Sequence, residues 1–146
     1  MSFCQINRVE RVKDLRKVLT DRHGRTLPND EGGRKLLAIV IDHALLIARD
    51  FAVRMAQQLA PAEISDAEIS YMIDREGRMW GVQALAVELG LTEAERVRLG
   101  VRTIGAVDIT PANRRTRKRA RERLRRAARL AAEAERQGLD AGATAR

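Results

Sequence analysis

The stretch from Lys35 to Leu59 constrains the fold more than any other part of the sequence. We predict it to be one long helix that ends before Pro61. Its apolar residues cover more than one helical face: Leu36, Leu37, Ile39, Val40, Ile41, Leu45, Leu46, Ile47, Phe51, Val53, Met55 and Leu59. A helix with so wide an apolar surface must be covered by other helices or by a second copy of itself. We therefore place it at the centre of the fold.

The segments around this central helix predict further helices. Between Asn7 and Leu19, apolar residues recur at three- and four-residue spacing. Asn29 or Asp30 is placed to cap the central helix, by accepting a backbone hydrogen bond that would otherwise be unmade. Ser65 has capping-box spacing and opens a short helix. The predicted fold is all-α, a small helical bundle with a central long helix.

The segment from Met79 to Leu99 predicts a helical hairpin. Its first helix ends at Leu89, Gly90 can adopt the positive φ that terminates helices, and Thr92 opens the second helix with another capping box. This layout is that of the helix-turn-helix that reads DNA, and also that of an ordinary hairpin in a helical core. Both interpretations stay open at this point.

If the hairpin enters a DNA groove, side chains near the start of its second helix face the bases. Glu93 and Glu95 stand there and are poor neighbours for phosphate, whereas Arg96 and Arg98 suit it. Together with Arg102, these two arginines are our secondary candidates for nucleic-acid contacts.

Thr110 and Pro111 mark the clearest boundary in the chain. Threonine suits the cap of a helix and proline its first turn, where a missing N–H costs nothing. The preceding residues, 102–108, predict either a helical turn or an extended piece. The predicted parts are a helical domain over 5–108, called the body; an arginine-rich helix over 111–137, called the arm; and a frayed tail over 138–146.

The net charge of +8 is not spread evenly. Residues 111–146 carry twelve Arg or Lys and four Asp or Glu, which accounts for the whole excess. Residues 1–110 carry sixteen of each sign and are neutral. The sequence therefore describes a neutral body joined to a basic arm, and a basic arm indicates a polyanionic partner.

The charge of the arm is concentrated in residues 114–126, where nine of thirteen residues are basic and eight are arginine. Such charges repel along an isolated helix, and phosphates relieve the repulsion by accepting forked guanidinium hydrogen bonds and releasing counterions. We therefore predict nucleic-acid contacts from Arg114, Arg115, Arg117, Lys118, Arg119, Arg121, Arg123, Arg125 and Arg126. DNA is favoured over RNA. An acidic protein partner and a merely solvated helix face are the alternatives.

The arm also carries a narrow apolar stripe with heptad spacing: Ala120, Leu124, Ala127, Ala131 and Ala134. A basic region followed by a zipper is the order found in bZIP proteins. This zipper is short and made mostly of alanine, so it is too weakly apolar to dimerise alone. A homodimer is one interpretation; packing on the body and the helix propensity of alanine are the others.

Catalysis, cofactors and metals find little support in the sequence. Cys4 is the only cysteine, so an internal disulfide is impossible. With His23 and His43 it provides too few ligands for a zinc site without carboxylate help. The sequence has no CxxC, no HExxH and no glycine-rich phosphate loop. We expect no enzyme, no cofactor and no metal.

The apolar segments do not predict secretion or membrane insertion. The N-terminus lacks an apolar signal core because charge appears at Arg8. The longest apolar stretch, Leu36 to Ala48, is interrupted by Asp42 and His43 and is too short to span a bilayer. We therefore expect a cytoplasmic protein.

Three segments together resemble a known set of proteins: "TLPNDEGGRKLLAIVIDHALLIA", "ELGLTEAERVRLGVRTIGAVDIT" and the arginine-rich run that follows. The set consists of poorly characterised bacterial proteins of prophages and other mobile elements, in which "ER-x-x-LG-[IV]-x-TIGA-x-D" precedes a basic helix. The resemblance covers residues 26–126. It implies no particular chemistry, but a mobile-element origin favours regulation of transcription, replication or host defence.

Two functions from different classes follow as expectations. The first is a DNA-binding regulatory protein of a mobile element that grips phosphates through its arm. The alternative is a protein-interaction module or inhibitor that docks on an acidic surface of a nucleic-acid enzyme or host-defence protein.

Overall fold

The structure, a computed structural model, describes the backbone of residues 3–144 and the side chains of residues 6–110 and 112–138. Over this range the chain forms helices and no β-strand, which confirms the all-α prediction. The helices are α1 (Phe3–His23), α2 (Glu31–Leu45), α3 (Arg49–Leu59), α4 (Asp66–Ile73), α5 (Val82–Leu89), α6 (Glu93–Leu99) and α7 (Pro111–Thr144). The chain divides into two compact units, Met1–Asp108 and Ile109–Arg146, which contain the body and the arm.

The body is built around α2, which packs on α1, α3 and α4. Leu37, Val40 and Ile41 of α2 are fully buried, as are Leu15 and Val18 of α1. Burying each such side chain contributes about 1.5–3 kcal/mol, so these helices hold much of the stability of the body.

The prediction of one central helix over residues 35–59 is wrong, because the chain breaks between α2 and α3. At the break the N–H of Leu46 donates to the carbonyl of His43, at 3.2 Å, and not to that of Asp42 as in a continuous α-helix. The carbonyl of Asp42, left free by this turn, accepts the N–H of Arg78 at 3.0 Å. The carbonyl of Leu46 accepts Nη1 of Arg8 at 3.0 Å. Distant residues thus supply the hydrogen bonds that a continuous helix would have made itself.

The predicted helix caps are confirmed, with Asp30 rather than Asn29 as the cap of α2. Each capping side chain accepts a hydrogen bond from the backbone N–H three residues later: Asp30 (2.7 Å), Ser65 (3.1 Å), Thr92 (3.2 Å) and Thr110 (3.1 Å). Gly90 adopts the predicted positive φ, of 58°, at the end of α5. Local chemistry therefore fixes where most of these helices begin.

Several helix boundaries differ from the predicted ones. α1 extends beyond residues 7–19 in both directions. α5 begins at Val82 rather than Met79, and residues 102–108 form no helix. α7 continues to Thr144, where the sequence predicted an end near Gln137 and a frayed tail over 138–146. Residues 145 and 146 of that tail lie outside the described range.

Candidate nucleic-acid interface

The candidate interface is the basic part of α7. Its start is set by the hydroxyl of Thr110, which caps the helix, and by Pro111 at the first helical position. Arg114 is half-buried. The eight other predicted contact residues are exposed: Arg115, Arg117, Lys118, Arg119, Arg121, Arg123, Arg125 and Arg126.

These eight exposed cations are not neutralised within the protein. Among the residues that the structure describes, none of them forms an ion pair. Glu122 stands in the middle of the run and is exposed as well, and it makes no ion pair with a described residue. Guanidinium groups at three- and four-residue spacing destabilise an isolated helix by about 0.2–0.5 kcal/mol for each like-charged pair. The arm therefore holds a dense positive charge whose balance has to come from outside these side chains.

The cations surround most of the helix circumference. At about 100° per residue, the arc from Arg117 to Arg123 that contains all nine predicted contacts spans roughly 240°. The remaining sector carries the apolar stripe, in which Leu124 is 71% exposed. Leu130, at the edge of that sector, is 56% exposed. The arm thus has one broad basic side and one narrow apolar side.

The secondary candidates Arg96 and Arg98 are engaged inside the body. Arg96 pairs with Glu93 at 2.9 Å and donates to the carbonyl of Val101 at 2.8 Å, and its side chain is only 16% exposed. Arg98 donates two hydrogen bonds to the carboxylate of Asp21, at 3.1 and 2.9 Å. These bonds hold the pKa of the Asp21 carboxyl below its ordinary value. Both arginines therefore have a structural role that the sequence alone did not reveal.

Arg102 is placed differently. Its side chain is exposed, while its backbone N–H donates to Asp14 at 3.0 Å. Asp14 is 2% exposed and also accepts the N–H and the hydroxyl of Thr103, at 2.8 and 2.7 Å. This buried carboxylate ties residues 102–103 to α1.

The acidic start of α6 is likewise used for packing. Glu95 completes the capping box with Thr92 and pairs with Arg22 of α1 at 3.2 Å. The backbone N–H of Glu93 donates to Asp108 at 2.8 Å. Conspicuous residues of the "ERVRLGVRTIGAVD" segment thus hold the hairpin to the rest of the body. These contacts favour the ordinary hairpin over a groove-reading helix.

A buried polar network that sequence reasoning largely missed joins α2 to the loop before α5. His43 is 1% exposed; its Nδ1 lies 2.9 Å from the carbonyl of Ile39, and its Nε2 accepts the N–H of Trp80 at 3.2 Å. A carbonyl only accepts, so Nδ1 carries a proton, and Nε2 carries none because it accepts a hydrogen bond. The ring is therefore neutral. Burial lowers the pKa of His43, and the nearby charge of Arg11 acts in the same direction. His43 is therefore a core residue whose two ring nitrogens both have hydrogen-bond partners.

The same network holds the indole of Trp80. Its Nε1 donates to Asp42 at 3.1 Å, and Arg75 pairs with the other oxygen of that carboxylate at 3.1 Å. Arg11, 6% exposed, donates to the carbonyl of Trp80 at 2.8 Å. The backbone of Trp80 bonds to α1 and α2, and α5 begins at Val82 instead of the predicted Met79. The only sequence signal was the polar pair Asp42–His43 inside an apolar stretch.

A surface pocket lies at the start of α2 and is lined in part by Gly32, Gly33, Arg22 and Lys35. Asp30 already occupies the N–H of Gly33. Arg22 pairs with Glu95, and Lys35 pairs with Glu88 at 2.9 Å. Both of these cations are therefore already paired with carboxylates. The Gly32–Gly33 pair is explained by the capping of α2.

The structure also bears on metals and membranes. Within the described residues, no group of three or more His, Cys, Asp or Glu is arranged to hold a metal ion. None of the described helices combines the length and apolarity needed to cross a bilayer. The side chain of Cys4 lies outside the described side chains.

Comparisons with known proteins give no independent assignment. No protein-family model, no curated protein and no solved structure matches the chain. The resemblance to mobile-element proteins therefore stays a prediction, and the functional argument rests on the charge and geometry of the arm.

Proposed function

We propose that this chain is a nucleic-acid-binding regulatory protein of a mobile element, with DNA as the favoured ligand, and that its arm grips phosphates. The observation that carries the proposal is the set of eight exposed cations on one helix, none of them in an ion pair with a described residue. In the body, by contrast, arginines such as Arg96 and Arg98 are matched by carboxylates. The proposal rests on the arm and does not depend on the hairpin.

Counterion release supplies the driving force for such binding. Each arginine that meets a phosphate releases condensed cations from the DNA, so affinity falls as salt rises. If about six of these residues contact phosphates, the slope of log affinity against log salt on duplex DNA is about −5. Phosphates also relieve the repulsion along the helix, which stabilises the arm in the bound state.

The proposal is tested by a charge-matched pair of variants in the full chain. The arm variant replaces Arg115, Arg117, Arg123 and Arg125 by alanine, which favours helix. Binding to duplex DNA at physiological salt should weaken by roughly two to three orders of magnitude, and the slope should become less steep by about one for each replaced arginine that meets a phosphate. Labelled duplex DNA, single-stranded DNA and structured RNA, titrated in parallel across salt, identify the preferred class of ligand.

The matched control changes the same amount of charge in the body. It replaces four arginines by alanine: Arg16, Arg25, Arg49 and Arg54. All four are exposed and make no ion pair with a described residue. The control should retain the slope of the unmodified chain. Equal losses in both variants would mean that only net charge matters, and unchanged binding in the arm variant would refute the proposal.

A second candidate function is docking on an acidic protein surface, favoured by the exposed Leu124 and Leu130 beside the basic side. Phosphate binding needs no apolar stripe, whereas a protein interface uses one. This alternative predicts stoichiometric binding to one protein and weak binding to all three nucleic acids at physiological salt. The salt titration therefore separates the two functions.

A further inference from the structure

The cations of the arm form two flanks on nearly opposite sides of α7. At about 100° per residue, the flank of Arg117 and Arg121 lies roughly 160° around the helix from the flank of Arg119 and Arg123. All four side chains are exposed. A flat anionic surface meets one side of a helix, so it can neutralise only one of these flanks at a time.

The faces between the flanks differ in chemistry. One carries Glu122 among four cations, and the opposite one carries Ala120 and Leu124 of the apolar stripe. The four cations of the first face are exposed: Arg115, Lys118, Arg125 and Arg126. The basic side thus runs from one flank across this face to the other, with Glu122 as the one acid within it, and the apolar stripe lies at the back of the helix. A ligand that matches this order presents anions on two sides, polar groups between them and nothing at the back.

The major groove of B-form DNA has this arrangement. It is about 12 Å wide, it admits a helix about 10–12 Å across, and phosphates line both of its edges. The minor groove is about 6 Å wide, and the major groove of A-form RNA is deep and narrow, so neither accepts the helix. Resting on the proposed function, we infer that the arm lies in the major groove of duplex DNA, with its flanks on opposite phosphate rows.

The placement also accounts for Glu122. An acid in the middle of a phosphate-binding face is unfavourable if that face lies against phosphates. On the floor of the groove it faces base edges instead, where a carboxylate can accept a hydrogen bond from the amino group of cytosine. The alanines of the stripe then point out of the groove, where no charge is required.

The first test compares two matched double variants of the full chain on one duplex of about 20 base pairs. One removes a flank by Arg117→Ala and Arg121→Ala, and the other removes the opposite flank by Arg119→Ala and Arg123→Ala. Groove placement predicts that both lose affinity by similar factors, about tenfold to thirtyfold at physiological salt. A loss confined to one flank would show that the arm lies with one side against the phosphates, which overturns the inference. Helix content, recorded for both variants, identifies any loss caused by unfolding.

The second test fills the major groove without changing the phosphates. DNA whose cytosines are replaced by glucosylated hydroxymethylcytosine carries sugars in that groove, so binding should weaken at least tenfold relative to unmodified DNA of the same sequence. Netropsin, which occupies the minor groove, should leave the affinity unchanged. Equal affinity for glucosylated and unmodified DNA would overturn the inference while leaving the proposed function intact. Absence of salt-dependent binding to either DNA would instead refute the proposed function.

Discussion

The body and the arm differ in how their arginines are arranged. In the body, several guanidinium groups meet partners that the fold provides, as Arg96 meets Glu93 and Arg98 meets Asp21, and the exposed ones that make no ion pair with a described residue do not form a consecutive run. In the arm, the exposed cations of residues 115–126 have no ion-pair partner among the described residues. The comparison teaches that abundance of arginine does not mark a binding surface. The informative feature is a dense run of exposed arginines to which the fold supplies no matching carboxylates.

The largest effect is expected from Gly33→Ala, which should destabilise the body and leave the arm unchanged. A Cβ at this position would lie 1.8 Å from the carbonyl oxygen of Pro28, so the backbone must shift. We expect a loss of about 3 kcal/mol or more in the free energy of unfolding, measured by urea titration. The salt slope of DNA binding should stay unchanged, since the phosphate contacts belong to the arm.

Gly32→Ala is the control for this variant. Its Cβ would lie 3.4 Å from a side-chain oxygen of Asp30, which is ordinary contact, and alanine favours helix. Its stability should match or exceed that of the unmodified chain. Equal destabilisation of both variants would show that the close approach of Gly33 to Pro28 does not cause the loss of stability.

A smaller effect on the body is expected from Asp14→Ala. The change removes the acceptor for the N–H groups of Arg102 and Thr103 and for the threonine hydroxyl. Leaving such groups without a partner costs about 2–3 kcal/mol, again measured by urea titration. Glu63→Ala, at an exposed acid with no ion pair in the described structure, should change stability by less than about 0.5 kcal/mol. Similar losses in both would contradict the role given to Asp14.

The pH dependence of stability should depend on His43. Burial holds its pKa in the folded state below the ordinary 6.5, with the charge of Arg11 acting the same way and Ile39 and Asp42 opposing it. As pH falls below about 6.5, the unfolded chain takes up the proton first, so stability decreases. His43→Gln should flatten the curve of unfolding free energy between pH 8 and 5. An undiminished slope in His43→Gln would contradict this prediction.

The smallest effect is expected from Arg98→Ala. Arg98 is 57% exposed and its pair with Asp21 is screened by solvent, so the loss of stability should be the smallest among these variants of the body. Its effect on DNA affinity should be smaller than that of Arg123→Ala, which should reduce the salt slope by about one. A loss of affinity as large as that of Arg123→Ala would place the hairpin in the interface and weaken the contrast between the two regions.

The sequence predicted the features that depend on nearby residues. The caps at Asp30, Ser65 and Thr92 each need only a backbone N–H three residues away, and all three were found. The concentration of charge in the arm is likewise a property of consecutive residues. These features can be read from a short window of sequence because the partners lie within it.

The sequence did not predict the features that depend on distant partners. The break at Leu46 contains no proline or glycine, and it is stabilised by Arg8 and Arg78 from other parts of the chain. The ion pair of Arg98 with Asp21 joins residues 77 positions apart. For this reason the sequence predicted Arg98 as a nucleic-acid contact, although the fold places the carboxylate of Asp21 beside it.

The position of Trp80 has a practical consequence for experiments on this molecule. It is the only tryptophan of the chain, and its ring is held in the body by Asp42 and by the guanidinium of Arg78, 4.4 Å from the ring centre. Its fluorescence therefore reports the packing of the body and carries no signal from an indole in the arm. The far-ultraviolet dichroism of the same sample includes the 34 residues of α7. Denaturation followed by both signals would show directly whether the two regions melt as one cooperative unit or in separate steps.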